Sequence, residues 1–368
     1  MPRLTTRIAM AWAHRHARHA PPEAFEPLGA DTGSRILVVN TTGIGDTILC
    51  TAPIADLRAS FPSAFIAAFV DRRRVDLLYG NPHLNEIIPY PGKYKKVLAT
   101  TRLLADHAFD VAVIQHANDP DVVPMVAKAG PRHMVGYASH TFSDLYSVKL
   151  PPADRPGGAH TIDARLALTR VIGAAGTHWK MQLFPSDHDR HLAAGALRDA
   201  GIEPGTAVAL NVGGSLPSKR WPPEHWAHLA HALSEDGMPI VVVGGPLDTI
   251  AGEFVRERLG KGVKAAFLLG RLPLMASAAL LTLCRAHVTP DSGLMQAGLA
   301  LDVPTVALFG PDDPSWTGPH PKQERAVVVQ ADQSLKPPGY DRKTDREGVL
   351  MRSIPPEQVL SALASLIG

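Results

Sequence analysis

Short runs of apolar residues alternate along the chain with longer stretches of helical periodicity. Ile36–Val39 is a β-branched run flanked by turn residues, which predicts a buried strand, and residues 47–59 then show helical spacing. Further strands are predicted at 65–70, 86–89 and 111–115. Because strands that alternate with helices build parallel sheets covered on both faces, this half predicts a doubly wound α/β domain.

The same alternation starts again in the second half of the chain. Strands are predicted there at 207–211, 239–243, 266–269, 286–289 and 304–308. Helices are predicted near 223–235, 248–259, 273–283 and 294–300. Two consecutive doubly wound series predict two Rossmann-like domains that face one another across a cleft.

The length of the chain supports this division. At 368 residues it exceeds what one hydrophobic core usually holds, so two domains are expected. The predicted segments are an N-terminal extension, a first domain, a linker, a second domain, and a polar loop with a C-terminal helix: 1–34, 35–180, 181–205, 206–330 and 331–368.

Charge and cysteine content exclude some classes of protein. The 37 basic and 35 acidic side chains nearly cancel, which argues against a nucleic-acid partner held by bulk electrostatics. Cys50 and Cys284 lie far apart in apolar stretches, which indicates buried free thiols in a reducing compartment. With no apolar run of membrane-spanning length and no signal-peptide pattern, we expect a cytoplasmic protein.

The N-terminal 20 residues carry a local excess of positive charge. They include four arginines and three histidines, alongside apolar residues, and no acidic side chain. One interpretation is a basic amphipathic helix that lies on an anionic bilayer, as a peripheral contact at the cytoplasmic face of the inner membrane. The other is a frayed extension, which we favour because chain termini are commonly loose.

Four loops follow predicted strands, at the sheet edge where doubly wound proteins bind ligands. The first is Thr41–Asp46, whose glycines allow close backbone approach and which places Asp46 at a helix start, where the alternative role is an N-cap. The second is Gly213–Pro222, which combines glycines and hydroxyls with Lys219 and Arg220. Two adjacent cations in such a loop suit a diphosphate.

The third and fourth loops add carboxylates. In Gly244–Asp248, the Asp248 side chain has two open interpretations, a bond to a ribose hydroxyl or a helix cap. Asp291–Gly293 joins a strand to a helix and offers backbone N–H groups, a hydroxyl and a carboxylate at the helix N-terminus. Such a terminus favours anions, so we expect a phosphate-bearing ligand whose sugar hydroxyls bond to Asp291.

These loops together resemble glycosyltransferase family 9, the ADP-heptose:lipopolysaccharide heptosyltransferases. The resemblance is carried by G-x-G-D at 43–46, S-K-R-W-P at 218–222, D-S-G-x-M at 291–295 and F-G-P-x-D-P at 309–314. It spans roughly residues 35 to 320 and continues into the final helix. It implies a GT-B fold, with the acceptor bound by the first domain and an ADP-sugar by the second. It also implies an inverting transfer without a metal or other cofactor.

The resemblance assigns roles to individual residues. Asp46 is similar to the family's catalytic base, and Lys219 to the cation that stabilises the departing diphosphate. The expected nucleotide-sugar-binding residues are Ser215, Arg220, Asp248, Asp291, Ser292, Gly293 and Gln296, and the expected acceptor-side loop residues are Thr42, Gly43 and Gly45.

Two positions depart from the family's pattern. Gln296 stands where the family usually has histidine, and Asn40 where it often has a basic residue. A glutamine still forms hydrogen bonds but carries no charge, so the donor's nucleotide and sugar stay open. The acceptor, a lipid-linked sugar such as the lipopolysaccharide core or another glycan, also stays open.

Other signals have weaker functional interpretations. Asp187 and Asp189 have the D-x-D spacing of metal-dependent sugar transferases, but carboxylates at a helix start explain them better. Gly43 and Gly45 with Asp71 imitate a dinucleotide fingerprint, yet Ile48 occupies the third glycine position, so an oxidoreductase is a poor second. Two further alternatives keep the fold: a nucleotide-sugar epimerase and a nucleotide-binding homologue without catalytic activity.

Overall fold

The computed structural model describes residues 25–30, 33–151, 158–260 and 262–368, and it forms two compact units that meet in the chain between Phe184 and Pro185. The basic segment 1–20, with its two interpretations, lies outside the described residues. Each unit contains one six-stranded sheet in which all strand pairs are parallel.

The first unit has its sheet in the order β3-β2-β1-β4-β5-β6. The strands are β1 (Arg35–Asn40), β2 (Phe65–Asp71), β3 (Glu86–Tyr90), β4 (Val111–His116), β5 (His133–Tyr137) and β6 (Val148–Leu150). The helices are α1 (Ile44–Leu49), α2 (Thr51–Ser60), α3 (Val97–Asp106), α4 (Val122–Ala129) and α5 (Thr161–Val171). From β1 to β3 the strands are added toward one edge of the sheet, and from β4 to β6 they are added toward the other edge. The neighbouring strands β1 and β4 therefore mark the topological switch point of the unit.

The second unit repeats the architecture with the order β12-β11-β10-β7-β8-β9. The strands are β7 (Val208–Asn211), β8 (Ile240–Val243), β9 (Ala265–Phe267), β10 (Ala286–Pro290), β11 (Thr305–Phe309) and β12 (Ala326–Gln330). The helices are α6 (Asp187–Asp199), α7 (Pro223–Glu235), α8 (Thr249–Arg258), α9 (Leu274–Thr282), α10 (Gly293–Ala300), α11 (Pro314–Thr317), α12 (Val349–Arg352) and α13 (Pro356–Ile367). The switch point lies between β7 and β10.

The helix predicted over 47–59 is wrong in its bounds. It begins earlier, at Ile44, and it divides at Cys50 into α1 and α2. Pro53 explains the division, because it has no N–H to bond the carbonyl of Leu49 and its ring would clash with that carbonyl in a continuous helix. In the first turn of a new helix, by contrast, proline is tolerated.

Both faces of each sheet are covered, as the apolar strands require. In β7, Val208 and Leu210 belong to a core with helix α7 and the C-terminal helix α13, whereas Ala209 faces a second core that includes residues of α6 and α9. Trp221 is 1% exposed and packs edge-on against Trp226, with ring centroids 4.8 Å apart. The indole N–H of Trp221 donates to the carbonyl of Ile354 at 3.0 Å, which anchors the end of the loop that carries Lys219.

Several smaller expectations are confirmed. Cys50 and Cys284 are buried free thiols. Ser186 caps α6 and forms a reciprocal capping box with Asp189, so the D-x-D pair lies at a helix start. Within the described ranges, the helices are all too short or too polar to cross a membrane.

Asp56 connects α2 to the loop that follows α5. Its carboxylate is fully buried and accepts hydrogen bonds from the Thr169 hydroxyl at 3.0 Å and from three successive backbone N–H groups, of Gly176, Thr177 and His178, at 2.9, 2.8 and 3.3 Å. One buried side chain therefore holds a whole turn of the backbone in place.

We expect Asp56→Ala to lower the free energy of unfolding of the first unit by about 3 kcal/mol, because it leaves the buried N–H of Gly176 unpaired and removes three further hydrogen bonds. Urea denaturation followed by circular dichroism measures the change. Asp106→Ala is the matched control, since it removes an exposed carboxylate of the same unit and should change the free energy of unfolding by less than about 0.5 kcal/mol. Equal losses in the two variants would contradict the structural role given to Asp56.

Candidate active site

Asp46 and Lys219 each lie in a group of interacting side chains, one in each unit, at the carboxyl ends of strands beside the switch points. The Asp46 group consists of Thr42, Asp46, His116 and Arg165. The Lys219 group consists of Lys219, Asp291, Asp312 and Arg342. Each group is held by contacts within its own unit.

The turn between β1 and α1 places the Asp46 carboxylate. Gly43 is the N-cap of α1, with extended backbone angles, and Asp46 is the third helical residue. The alternative in which Asp46 is the N-cap is therefore wrong, and Gly45 lies in the helix rather than in the loop. The Asp46 side chain instead forms its bonds with residues from β4 and α5.

Two donors converge on one oxygen of Asp46. Nη2 of Arg165 lies 2.9 Å from Oδ1, and Nδ1 of His116 lies 3.0 Å from the same atom. Arg165 also donates from Nη1 to the backbone carbonyl of Asp46, so the guanidinium holds both the side chain and the main chain. The Thr42 hydroxyl lies 3.2 Å from Nδ1 of His116 and completes the group.

The charge state of Asp46 follows from these contacts. Burial opposes ionisation of the carboxyl, but the hydrogen bond from His116 and the positive charge of Arg165 outweigh it, so the pKa of Asp46 lies well below its usual value. The Arg165 side chain is only 4% exposed, whereas those of Asp46 and His116 are 31% and 38% exposed. The ionised carboxylate of Asp46 and the imidazole of His116 are thus both accessible to solvent, and the buried guanidinium of Arg165 lies behind them.

The Lys219 group brings together loops that follow three strands. Nζ of Lys219 contacts the carboxylate of Asp291, after β10, and lies 2.6 Å from Oδ2 of Asp312, after β11. Arg342 contacts the other oxygen of Asp312. Burial opposes the charge of Lys219, but the two carboxylates outweigh it and raise the pKa of the ammonium above its ordinary value.

The turn before α10 has the predicted form of a helix start. Ser292 is the N-cap, its hydroxyl accepts a hydrogen bond from the backbone N–H of Met295 at 3.2 Å, and Gly293 is the first helical residue. The Asn211 amide donates to the Ser292 hydroxyl at 2.9 Å, which ties the turn to the end of β7. Asp291 comes immediately before the cap, so its carboxylate lies at the start of the helix.

Arg220 and Asp248 form a separate contact. Oδ2 of Asp248 accepts a hydrogen bond from the N–H of Gly245 at 2.8 Å, and Oδ1 lies 3.7 Å from a guanidinium nitrogen of Arg220. A Cβ on Gly213 would lie 2.2 Å from the Asp248 carboxylate, so the close approach of these loops requires glycine there. Ser215 is exposed in the same loop. The structure thus joins Lys219 with Asp291, and Arg220 with Asp248.

Gln296 lies deeper than a ligand-contacting residue would require. It is 2% exposed, and its amide nitrogen donates to the carbonyl of Thr317 at 2.6 Å, which links α10 to α11. Its amide oxygen is buried and has no hydrogen-bond partner among the described residues. Its assignment to the donor site stays a prediction.

Sequence reasoning missed Arg165, Asp312 and Arg342. Arg165 did carry a signal, because it occupies a position three residues from Ile162 on the face of α5 that is otherwise buried and apolar. Asp312 stands at the variable position of the F-G-P-x-D-P motif, whereas the motif's own aspartate, Asp313, caps α11 by accepting a bond from the N–H of Ser315 at 2.9 Å. No pattern pointed to Arg342, in a polar segment.

Comparison with known proteins covers both units. The family model for glycosyltransferase family 9 (heptosyltransferase) matches residues 97–344. Lipopolysaccharide heptosyltransferase 2 of Salmonella typhimurium is 28% identical over 355 residues, which cover 90% of this chain and 98% of that protein. Lipopolysaccharide heptosyltransferase 1 of Pseudomonas aeruginosa is 25% identical over 312 residues, which cover 79% of this chain and 82% of that protein.

Solved structures agree with the fold. A glycosyl transferase family 9 protein from Veillonella parvula superposes with a TM-score of 0.78 at 25% identity, covering 93% of this chain and 99% of that chain. The ADP-heptose lps heptosyltransferase II of E. coli gives 0.74 at 25% identity, covering 90% and 98%. The predicted α/β fold of the GT-B class, with two Rossmann-like domains, is confirmed.

The lowered pKa of Asp46 has a consequence for stability. Above about pH 4, where an aspartate in the unfolded chain is also ionised, the contacts of Asp46 stabilise the fold fully. As the pH falls from there toward the lowered folded-state pKa, the unfolded chain takes up a proton that the folded one does not, and this stabilisation is lost.

We therefore expect the wild type to exceed Asp46→Asn in free energy of unfolding most at neutral pH, with a difference that shrinks below about pH 4. Urea denaturation at pH 7, 5, 4 and 3 tests this. Asp106→Asn, at an exposed position in α3, is the control and should show a difference that hardly changes with pH. A difference that grows on acidification would contradict the ion-pair description of Asp46.

Proposed function

The chain belongs to glycosyltransferase family 9, the heptosyltransferases, and we propose that it transfers a heptose from ADP-heptose to the core of lipopolysaccharide. The match of the family model over 97–344 carries the proposal, because that range includes the whole Lys219 group together with His116 and Arg165. The names of the relatives supply the substrates, lipopolysaccharide for the Salmonella typhimurium protein and ADP-heptose for the E. coli one.

On the donor side, the Lys219 group binds the diphosphate of the ADP-sugar. Lys219 supplies a buried positive charge, and the first backbone N–H groups of α10 point to the same end of the sheet. As the bond between the sugar and the diphosphate breaks, negative charge grows on the leaving oxygen. A fixed cation beside that oxygen stabilises the transition state more than the ground state.

On the acceptor side, the Asp46 group takes up the proton of the attacking hydroxyl, a role that the family resemblance gives to Asp46. The Asp46 side chain is one-third exposed, and Arg165 and His116 both contact its Oδ1. The hydroxyl oxygen bonds to the anomeric carbon, the bond to the diphosphate breaks, and ADP leaves with the electron pair. Attack from the side opposite the leaving group inverts the anomeric configuration, and the proposal assigns every step to side chains, without a metal.

The two alternatives that keep the fold are not favoured. A nucleotide-sugar epimerase would need no acceptor-side base of this kind, and the family match is to transferases. A homologue without catalytic activity would have no reason to hold both an ionised Asp46 and a charged Lys219 at strand ends. Contact with the inner membrane stays a prediction, because the basic segment that suggested it lies outside the described residues.

Nucleotide preference tests the donor assignment. We expect calorimetric titration to show tighter binding of ADP than of UDP, GDP or NADH. Preference for NADH would contradict the proposed transferase function. Preference for UDP or GDP would agree with a transferase and would change the assigned donor nucleotide.

A pair of variants separates the two groups. We expect Asp46→Asn to lower kcat for heptose transfer by about 10²- to 10⁴-fold, the usual contribution of a general base, while the Kd for ADP changes only a few-fold. In Lys219→Ala, both ADP affinity and kcat should fall, because the same cation binds the diphosphate and stabilises the negative charge on it as ADP leaves. Lys180→Ala, at an exposed lysine, is the control. Parallel loss of transfer and ADP binding in Asp46→Asn would assign Asp46 a structural role.

A further inference from the structure

The carboxylate of Asp46 is poorly suited to keep a proton. Oδ1 accepts hydrogen bonds from Arg165 at 2.9 Å and from His116 at 3.0 Å, and the guanidinium is almost fully buried. Contacts of this kind stabilise the ionised form and hold the pKa of Asp46 far below neutral. General-base catalysis is most effective when the base titrates near the working pH, so a second acceptor for the proton would serve the reaction better.

His116 lies in the position that such an acceptor requires. It is the last residue of β4, and its backbone pairs with Asn40 at the end of β1, which brings it beside the start of α1. A carboxylate can only accept hydrogen bonds, so the bond to Oδ1 places a hydrogen on Nδ1 of His116. In the neutral ring, Nε2 then carries the lone pair.

We propose that Nε2 of His116 receives the proton of the acceptor hydroxyl, and that Asp46 positions the imidazole and stabilises its protonated form. This inference rests on the proposed function and changes the role of Asp46 from proton acceptor to positioning residue. The O–H bond of the acceptor breaks and its proton moves to Nε2. The oxygen then bonds to the anomeric carbon, and ADP departs with the electrons of the broken bond.

The neighbours of His116 fit this role. The groups that face it are Asp46 from α1, Thr42 from the preceding turn, Arg165 from α5 and His140 from the segment after β5. Nε2 of His116 has no hydrogen-bond partner among the residues that the structure describes, and the side chain is 38% exposed, so a hydroxyl can reach it.

His140 shows what a structural histidine looks like in the same neighbourhood. Its Nε2 lies 2.8 Å from the carbonyl of Ala117, and its Nδ1 accepts a bond from the N–H of Phe142 at 3.1 Å. Burial lowers the pKa of His140 below its ordinary value. Both of its nitrogens are occupied by the backbone, whereas His116 uses only one.

The test compares His116→Asn with His116→Ala. An asparagine amide can donate to Asp46 from nearly the position of Nδ1 but has no equivalent of the basic Nε2. We expect both variants to lose about 10²-fold or more in kcat, with ADP affinity unchanged. In the wild type, kcat/KM should fall on acidification, when the group that accepts the proton becomes protonated, and this limb should be absent from the residual activity of both variants.

Added imidazole gives a readout that a structural role would not move. It should restore part of the activity of His116→Ala, since the lost side chain leaves a solvent-accessible space, and it should not affect the wild type. His83→Gln is the control. His83 is a partly buried histidine that bonds to Gln182, and it precedes β3, so it lies at the amino ends of the strands rather than at the carboxyl ends where His116 lies. Urea denaturation of each variant confirms that the first unit is folded.

The outcomes separate the two proposals. Full activity in His116→Asn with loss in His116→Ala would overturn the proton-acceptor role and leave His116 as a donor that positions Asp46. An acidic limb of the wild-type kcat/KM that persists unchanged in the residual activity of both variants would also overturn it. Absence of heptose transfer by the wild type, with any acceptor, would instead overturn the proposed function, and this inference with it.

Discussion

A buried cation has to be paired, and in both units this requirement sets the geometry of the strand ends. Arg165 is almost fully buried in the first unit, and the carboxylate and backbone carbonyl of Asp46 accept hydrogen bonds from it, which offsets the cost of burying its charge. Lys219 is a similarly paired, largely buried cation in the second unit, where it lies between Asp291 and Asp312. Each cation fixes carboxylates that the sequence places on other elements.

The order of strands explains why these distant residues meet. β1 and β4 are neighbours, so Asp46 after β1 meets His116 at the end of β4, although 70 positions separate them. In the second unit, β10 lies between β7 and β11, so the loops carrying Lys219, Asp291 and Asp312 leave the same edge side by side. In parallel sheets, neighbouring strands end at the same edge, and the switch point leaves room there for a ligand.

Sequence reasoning succeeded where one local signal decides the structure. Long buried runs such as Ile36–Val39 identified the central strands, and the turn at Asp291–Gly293 had the residues of a helix start. It failed for β5 and β6, because these short strands lack a continuous apolar run, and it also missed β12, although Ala326–Val329 is apolar. The partners of the predicted residues were also out of reach, since Arg165 and Arg342 meet them only through the tertiary fold.

Charge balance separates the chemistry of the two groups. In the Lys219 group, two cations already face two carboxylates, so a diphosphate adds negative charge to a balanced set. Under the proposed function, binding of the diphosphate requires that Lys219 exchange a carboxylate for a phosphate oxygen, and the dipole of α10 favours this exchange. The Asp46 group holds one carboxylate against one buried cation, and its exposed imidazole has a charge that can change. The acceptor hydroxyl is neutral and gives up only a proton, so it suits the Asp46 group, in which only the protonation of the imidazole changes. The donor carries a charged diphosphate, so it suits the Lys219 group, whose charges are fixed.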